Sequence, residues 1–269
     1  MIHLLAFLLY VGAFSLWIHF LVKGSRGEGP TFASAIAGAA VVVHAIALGD
    51  YWIRYGELPL VGPGAALSSL AFVGGLALLA TIPLREAARV GIALLPFITI
   101  CLGIAMILGI EPSPLTVDFQ GVGFVLHVTF AFFGYQGLAL AFAAGILYLI
   151  QHHELKSKRL GRFFRFIPPL ATLDLLGRVG VWAGFAMLSL ALGLGWAWTT
   201  ANRGSLEVGD PKVIWALLSW FIFVAIIVAR RGSGRTDYRG AMAAVIGFAV
   251  VICSYLALRL TVGGAGLFL

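Results

Sequence analysis

Eight apolar runs of about 20 residues, each long enough as a helix to cross roughly 30 Å of hydrocarbon, dominate the chain. They lie at Ile2–Val22, Phe32–Tyr51, Ala65–Leu84, Gly91–Ile110, Val122–Ile150, Val179–Thr199, Val213–Ala229 and Ala241–Leu260. Inside a bilayer every backbone N–H and C=O must be satisfied within the protein, so such a chain folds as helices or as a closed barrel. The alternating ten-residue pattern of a membrane barrel is absent. Charged residues make up 11% of the 269-residue chain, against about a quarter in a soluble domain, too few to clothe a water-soluble surface. The expectation is an all-α fold: a polytopic membrane helix bundle of about eight transmembrane helices, forming one domain over residues 1–269. The first run lacks a basic leader and a small-residue cleavage site, so it reads as a span rather than a signal peptide.

Orientation follows from the cations. Of the 18 Lys and Arg residues, all but Arg54, Arg203, Lys212 and Arg259 fall in the loops after the first, third, fifth and seventh spans. Positive residues collect on the cytoplasmic side, which puts those loops inside and both termini outside. The net charge of +7 is then a matter of topology and of contact with anionic membrane lipids, not of nucleic-acid binding. The longest inner stretch, Gln151–Arg178, mixes cations with Phe163, Phe164 and Phe166 before Pro168-Pro169. It reads either as an amphipathic segment on the inner surface or as a plain positive anchor. Cys101 and Cys253 fall in separate spans with no CxxC or CxxCH pattern, and both read as small apolar core residues.

Few side chains offer chemistry. His3, His19, His152 and His153 sit at span ends, where wet interfacial imidazoles are the expectation. His44 and His127 lie inside apolar runs, where an ionisable group needs a partner. At 1.5 Å per residue, His44 is about 9 Å below Asp50 and His127 about 7.5 Å below Val122, so both occupy the outer leaflet. Neutral imidazole ligates haem iron; equally, each ring can hydrogen-bond across helices to Ser68, Thr129 or a backbone carbonyl. Asp210 and Pro211 have the form of an N-cap and first helical residue. Lys212 opposes the helix dipole there, and so suits an anionic partner such as a haem propionate or lipid phosphate. Trp196, Trp198, Trp215 and Trp220 flank the same loop, as interfacial tryptophans commonly do. Gly74-Gly75 and Gly193–Gly195 read as close helix packing.

Several stretches together resemble the cytochrome c assembly family of haem-handling membrane proteins, the branch with CcsA-, HemX- and YpjD-type chains. His44 followed by YWIRYGELPL is similar to the family's intramembrane histidine and outer loop. HVTFAFFGYQGLALAFAAGILYLI, from His127, is similar to the helix that opens with an external haem-ligand histidine. PPLATLDLLGRVGVWAGF and DPKVIWALLSWFIF resemble two further family segments. The resemblance implies a b-type haem with His44 and His127 as iron ligands, each from a separate histidine pair in the family; their matched depths allow a different arrangement, with both on one iron. Arg54, Arg203 and Lys212 are the implied propionate contacts, with Trp198 and Asp210 completing the candidate set. It also implies the bacterial cytoplasmic membrane, a cytochrome c assembly partner or other membrane subunits, and haem handling without enzymatic bond chemistry. The alternative is a regulatory or accessory subunit that keeps the fold without haem. Leu206 and Val208 stand where the family's haem-presenting loop carries tryptophans. Val228 and Phe268 stand at the places of the second intramembrane and second external histidines.

Overall fold

A computed structural model describes residues 1–23, 29–83, 87–113, 121–158, 161–204, 209–231 and 238–262. Leu206, Val208 and Phe268 lie outside them. The described elements are α1 (Ile2–Lys23), α2 (Gly29–Tyr55), α3 (Pro63–Thr81), a 3-10 turn (Ala87–Val90), α4 (Gly91–Leu108), α5 (Val122–Ser157), α6 (Arg162–Phe166), α7 (Leu170–Arg203), α8 (Pro211–Arg231) and α9 (Tyr238–Val262). All except α6 and the 3-10 turn are long and apolar enough to cross a membrane, which makes eight spans. Strands are absent among the described residues. Below, the cation-rich end of the bundle is called inner.

Three helices outrun their apolar stretches. α2 continues past Asp50 to Tyr55, carried by the Asp50–Arg54 pair one turn apart at 2.9 Å; such i,i+4 pairs support helix. α5 continues to Ser157 and closes on Lys158 in the left-handed region. α7 begins at Leu170, nine residues ahead of Val179, directly after Pro169 at its N-cap. The expected inner-surface segment is therefore split between the end of α5, the single-turn α6 and the start of α7.

The first four spans pack as one group and the last four as another, joined where α3 and α4 meet α5. In α3 and α5, 61% of the apolar window is buried, against 22% in α1 and α8, so the first pair forms the centre and the second the lipid-facing rim. Between helices in lipid there is little hydrophobic drive, and small residues that let backbones approach carry the packing. α5 crosses α7 on glycines: a Cβ on Gly137 would stand 2.5 Å from the Gly180 carbonyl oxygen, and one on Gly184 2.9 Å from that of Gly134. Gln136 ties the two groups together in mid-bundle, its Nε2 donating to the Leu70 carbonyl of α3 at 2.8 Å. Gly75 lies against the Tyr10 hydroxyl, while Gly193 meets nothing within 4 Å. Cys101 is buried as expected, but Cys253 is exposed on the outside of α9.

At the inner end, Asp174 of α7 accepts from Arg178 Nη2 at 3.3 Å and from Arg230 Nη1 of α8 at 3.1 Å. Gly177 makes room for that second arginine, whose Nη2 lies 2.6 Å from where a Cβ would stand. Phe166 of α6 packs edge-on against Trp17 of α1, ring centres 5.8 Å apart, and its carbonyl accepts from Arg89 Nη1 at 3.2 Å. These contacts seat α6 on the bundle.

On the cation bias, the end carrying Glu111 is expected to be extracytoplasmic and the end carrying Ser157 cytoplasmic. On a background lacking the native cysteines, an impermeant maleimide added to intact cells should modify Glu111→Cys and spare Ser157→Cys. The opposite labelling pattern would invert the bundle.

Candidate functional site

The candidate residues fall into two groups on opposite sides of α3. The first is built on α5 and α7. His127 projects onto α7, where its Nδ1 stands 2.7 Å from the Ala191 carbonyl oxygen. A carbonyl only accepts, so Nδ1 carries a proton, and in the neutral ring Nε2 has the lone pair. The close approach depends on Gly195, where a Cβ would lie 2.6 Å from the His127 ring. The ring is half-buried. Nearby in the same seam, Trp198 packs on Phe124 with ring centres 5.6 Å apart and against Gly123. Arg203 closes α7, but its side chain lies outside the described residues.

The second group is built on α1, α2 and α3. The His44 ring is fully buried. Its Nε2 lies 3.1 Å from Ser68 Oγ and its Nδ1 3.5 Å from the Tyr10 hydroxyl, a distance at the limit of hydrogen bonding. Phe72 and His3 complete the cage, both rings edge-on at centre distances of 5.6 and 5.9 Å. Above it, a cleft of about 160 Å³ is lined by His3, Ala47, Asp50, Tyr51, Arg54 and Tyr55, among others. Arg54 stands at that cleft, paired with Asp50.

His44 and His127 therefore do not come together. Each ring has its own partners: α2 packs on α1 and α3, whereas α5 packs chiefly on α7 and α9. Of the two readings of these histidines, cross-helix hydrogen bonding is realised at both. His3 is half-buried and lines the cleft, with its Nε2 turned inward and buried. The reason lies in α1, where His3 opens the 3-4 stripe His3, Ala6, Tyr10, Ala13, Trp17 whose other members are all buried against the bundle. That spacing was the available signal for it. His152 stacks on Tyr148 at 6.2 Å and lies tilted against Tyr238 at 5.1 Å.

The DPK segment behaves as a helix start. Asp210 Oδ1 accepts the Lys212 backbone N–H at 2.8 Å, and the Asp210 carbonyl accepts from Ile214 at 3.0 Å. Trp215 stacks on Tyr135 at 5.0 Å and touches Tyr255 of α9, while Trp196 is exposed. Trp220 lies well down α8, its Nε1 donating to Ser189 Oγ at 2.9 Å, and so does not belong to the outer loop. Val228 stands three residues from the inner end of α8 and is 61% exposed, at the wrong depth to face His44.

Comparison with known proteins adds the following. The family model described as "Cytochrome C assembly protein" matches residues 64–264. A "Cytochrome c biogenesis protein CcsA" of Chlamydomonas reinhardtii is 31% identical over 152 residues, covering 56% of this chain and 41% of that protein. "Protein HemX" of Bacillus subtilis (strain 168) is 28% identical over 195 residues, 67% of this chain and 68% of that one. A CcsA of Prochlorococcus marinus (strain MIT 9303) is 26% identical over 284 residues, 95% of this chain and 88% of that one. The chain thus spans less than half of the Chlamydomonas protein and most of the Prochlorococcus one.

The Asp210 side chain has a complete structural role. Asp210→Ala should lower stability by about 1 kcal/mol through loss of the cap, read as a lower thermal midpoint in detergent. An unchanged midpoint together with loss of a bound ligand would move Asp210 from cap to binding residue.

Proposed function

Because the chain belongs to the cytochrome c assembly protein family, we propose that it handles haem in the outer leaflet of the bacterial cytoplasmic membrane, with His127 as an iron ligand. The observation that carries this reading is the His127 ring itself. Its Nδ1–H is held by the Ala191 carbonyl, the arrangement that orients metal-ligating imidazoles and raises their basicity. Its Nε2 keeps the lone pair an axial ligand needs, and the ring is not sealed in the core. Trp198, half-buried and backed by Phe124 in the same seam, offers aromatic surface suited to a large apolar ring. Arg203 and Lys212, at the outer ends of α7 and α8, are the cations suited to propionates, and Arg54 serves the α2 side. The donor set fits haem: when bound, it supplies an iron that accepts imidazole.

The bound haem is b-type in this reading, because the chain has no CxxCH attachment sequence. The protein performs no bond chemistry itself; it holds and orients haem for an assembly partner. A second reading, a regulatory or accessory subunit that binds no haem, draws on the His44 ring, whose nitrogens both face hydroxyl groups. Titration of haemin into the purified full chain separates the two. The haem reading expects a sharp b-type Soret band and, for His127→Ala, affinity weaker by tenfold or more, about 1.4 kcal/mol. Binding that His127→Ala leaves unchanged would remove His127 from the site, and no binding by the wild type would favour the regulatory subunit.

A haem-attaching synthase must also grip the macrocycle while client thiols approach, and aromatic contacts are worth about 0.5–1.5 kcal/mol each. With Leu206 and Val208 at the family's tryptophan places, this chain as sole addition should yield no covalently haemylated reporter in a host lacking its own assembly system. Accumulation of such a reporter would restore full synthase activity.

A further inference from the structure

We propose that haem reaches the α5–α7 seam from the outer face alone, so that a separate transport step must deliver it to the outer leaflet before this chain can hold it. The inference rests on the haem reading of His127 and adds where the haem comes from. Two sets of contacts carry it. One shuts the seam inward of His127, and the other keeps His44 out of any route through the bundle.

Seven residues inward of His127, a Cβ on Gly134 would stand 3.1 Å from Leu188 Cβ and 3.3 Å from the Gly184 carbonyl oxygen. Ten residues inward, one on Gly137 would lie 2.5 Å from the Gly180 carbonyl oxygen and 2.6 Å from Gly184 Cα. A gap too narrow for a methyl group has no width for a macrocycle. The Phe223 ring of α8 stands 2.8 Å from where a Cβ on Gly184 would be, and so backs the closure. At the level of His127 and outward the seam is looser. The ring is half-buried, Trp196 is exposed, and a Cβ on Gly121 or Gly193 would meet nothing within 4 Å. Arg203 and Lys212, the cations suited to propionates, stand at the same end.

A route through the bundle would need a buried ligand on the way, and His44 is the imidazole placed for it. Its two nitrogens instead face Ser68 Oγ at 3.1 Å and the Tyr10 hydroxyl at 3.5 Å. Tyr10 is itself fully buried, with its hydroxyl lodged 2.5 Å from where a Cβ on Gly75 would stand. His3 meets the His44 ring edge-on at 5.9 Å, so these two imidazoles do not converge on a common metal. The cleft above them holds about 160 Å³, whereas pockets for drug-sized ligands run to about 300–1,000 Å³. His44 thus ties α1, α2 and α3 together by hydrogen bonds, as polar side chains do between helices in lipid. Haem arriving from the inner side must therefore cross the membrane on another protein.

The test uses the full chain. Purified in detergent and titrated with haemin, it should bind one haem. His44→Gln, which keeps a donor and an acceptor, should bind with affinity unchanged within twofold and with the same Soret band. Ser68→Ala should lower the thermal midpoint of the apoprotein and likewise leave haem affinity unchanged. Sidedness is read without any variant, in membrane vesicles whose orientation is checked by maleimide labelling. In right-side-out vesicles the loaded chain should give up its haem to added apomyoglobin, a haem acceptor that does not cross membranes, at least tenfold faster than in inverted ones. A second haem per chain, loss of haem by a folded His44→Gln, or release from inverted vesicles as fast as from right-side-out ones would overturn the inference and leave His127 as a ligand. No haem on the wild-type chain would overturn the haem reading and the inference together.

Discussion

The contact on which the bundle depends is backbone against backbone, where Gly134 and Gly137 of α5 meet Gly180 and Gly184 of α7. In lipid, apolar side chains gain little by leaving one hydrocarbon for another, so dispersion between closely fitted helices carries much of the association. A methyl group at Gly137 or Gly184 would force these helices apart. Their register has consequences at both ends. Ten residues before Gly137, it brings His127 over Gly195 and onto the Ala191 carbonyl. On the other flank of α7, Gly184 receives the Phe223 ring of α8, which fixes the third helix of that group.

α3 is the second organising element. It is lined with small residues on several faces, so it packs closely on α2, α4 and α5 together. Through Ser68 it holds His44, and through the Leu70 carbonyl it holds Gln136 of α5. His44 and the Nε2 of Gln136 thereby find partners deep in the protein, where an unmade hydrogen bond costs about 1–3 kcal/mol. The same helix keeps the imidazoles of α2 and α5 in separate environments, one sealed and one half-open.

Much of this was legible in the sequence because the bilayer restricts the choices so severely. The eight spans, the Asp210 cap and the burial of Cys101 follow from local pattern and the cost of buried polar groups, which also demanded a partner for His44 without choosing between iron and a group such as Ser68. Helix adjacency did not follow, because apolar runs carry no label for their neighbours. Equal depth made His44 and His127 look like partners, while a wall of α3 was invisible. For His3, position near a span end suggested water, and the face it shares with Tyr10 adds a buried side to a ring that still lines the cleft. Cys253 shows the converse, an apolar side chain within a span that faces outward.

The Asp174 clamp has a consequence for how the chain reaches its membrane. Its carboxylate is shared by Arg178 of its own helix and the 8%-exposed Arg230 of the next. Arg230 reaches it only when α8 has inserted with its last turn at the inner boundary and to the correct depth. An α8 inserted upside down strands that arginine on the far side and leaves Asp174 with the exposed Arg178 alone. The clamp therefore acts as a check on insertion: α7 gains its full set of inner contacts only after the following helix has taken the right orientation. The clamp thus belongs to the α7–α8 hairpin and to neither helix alone.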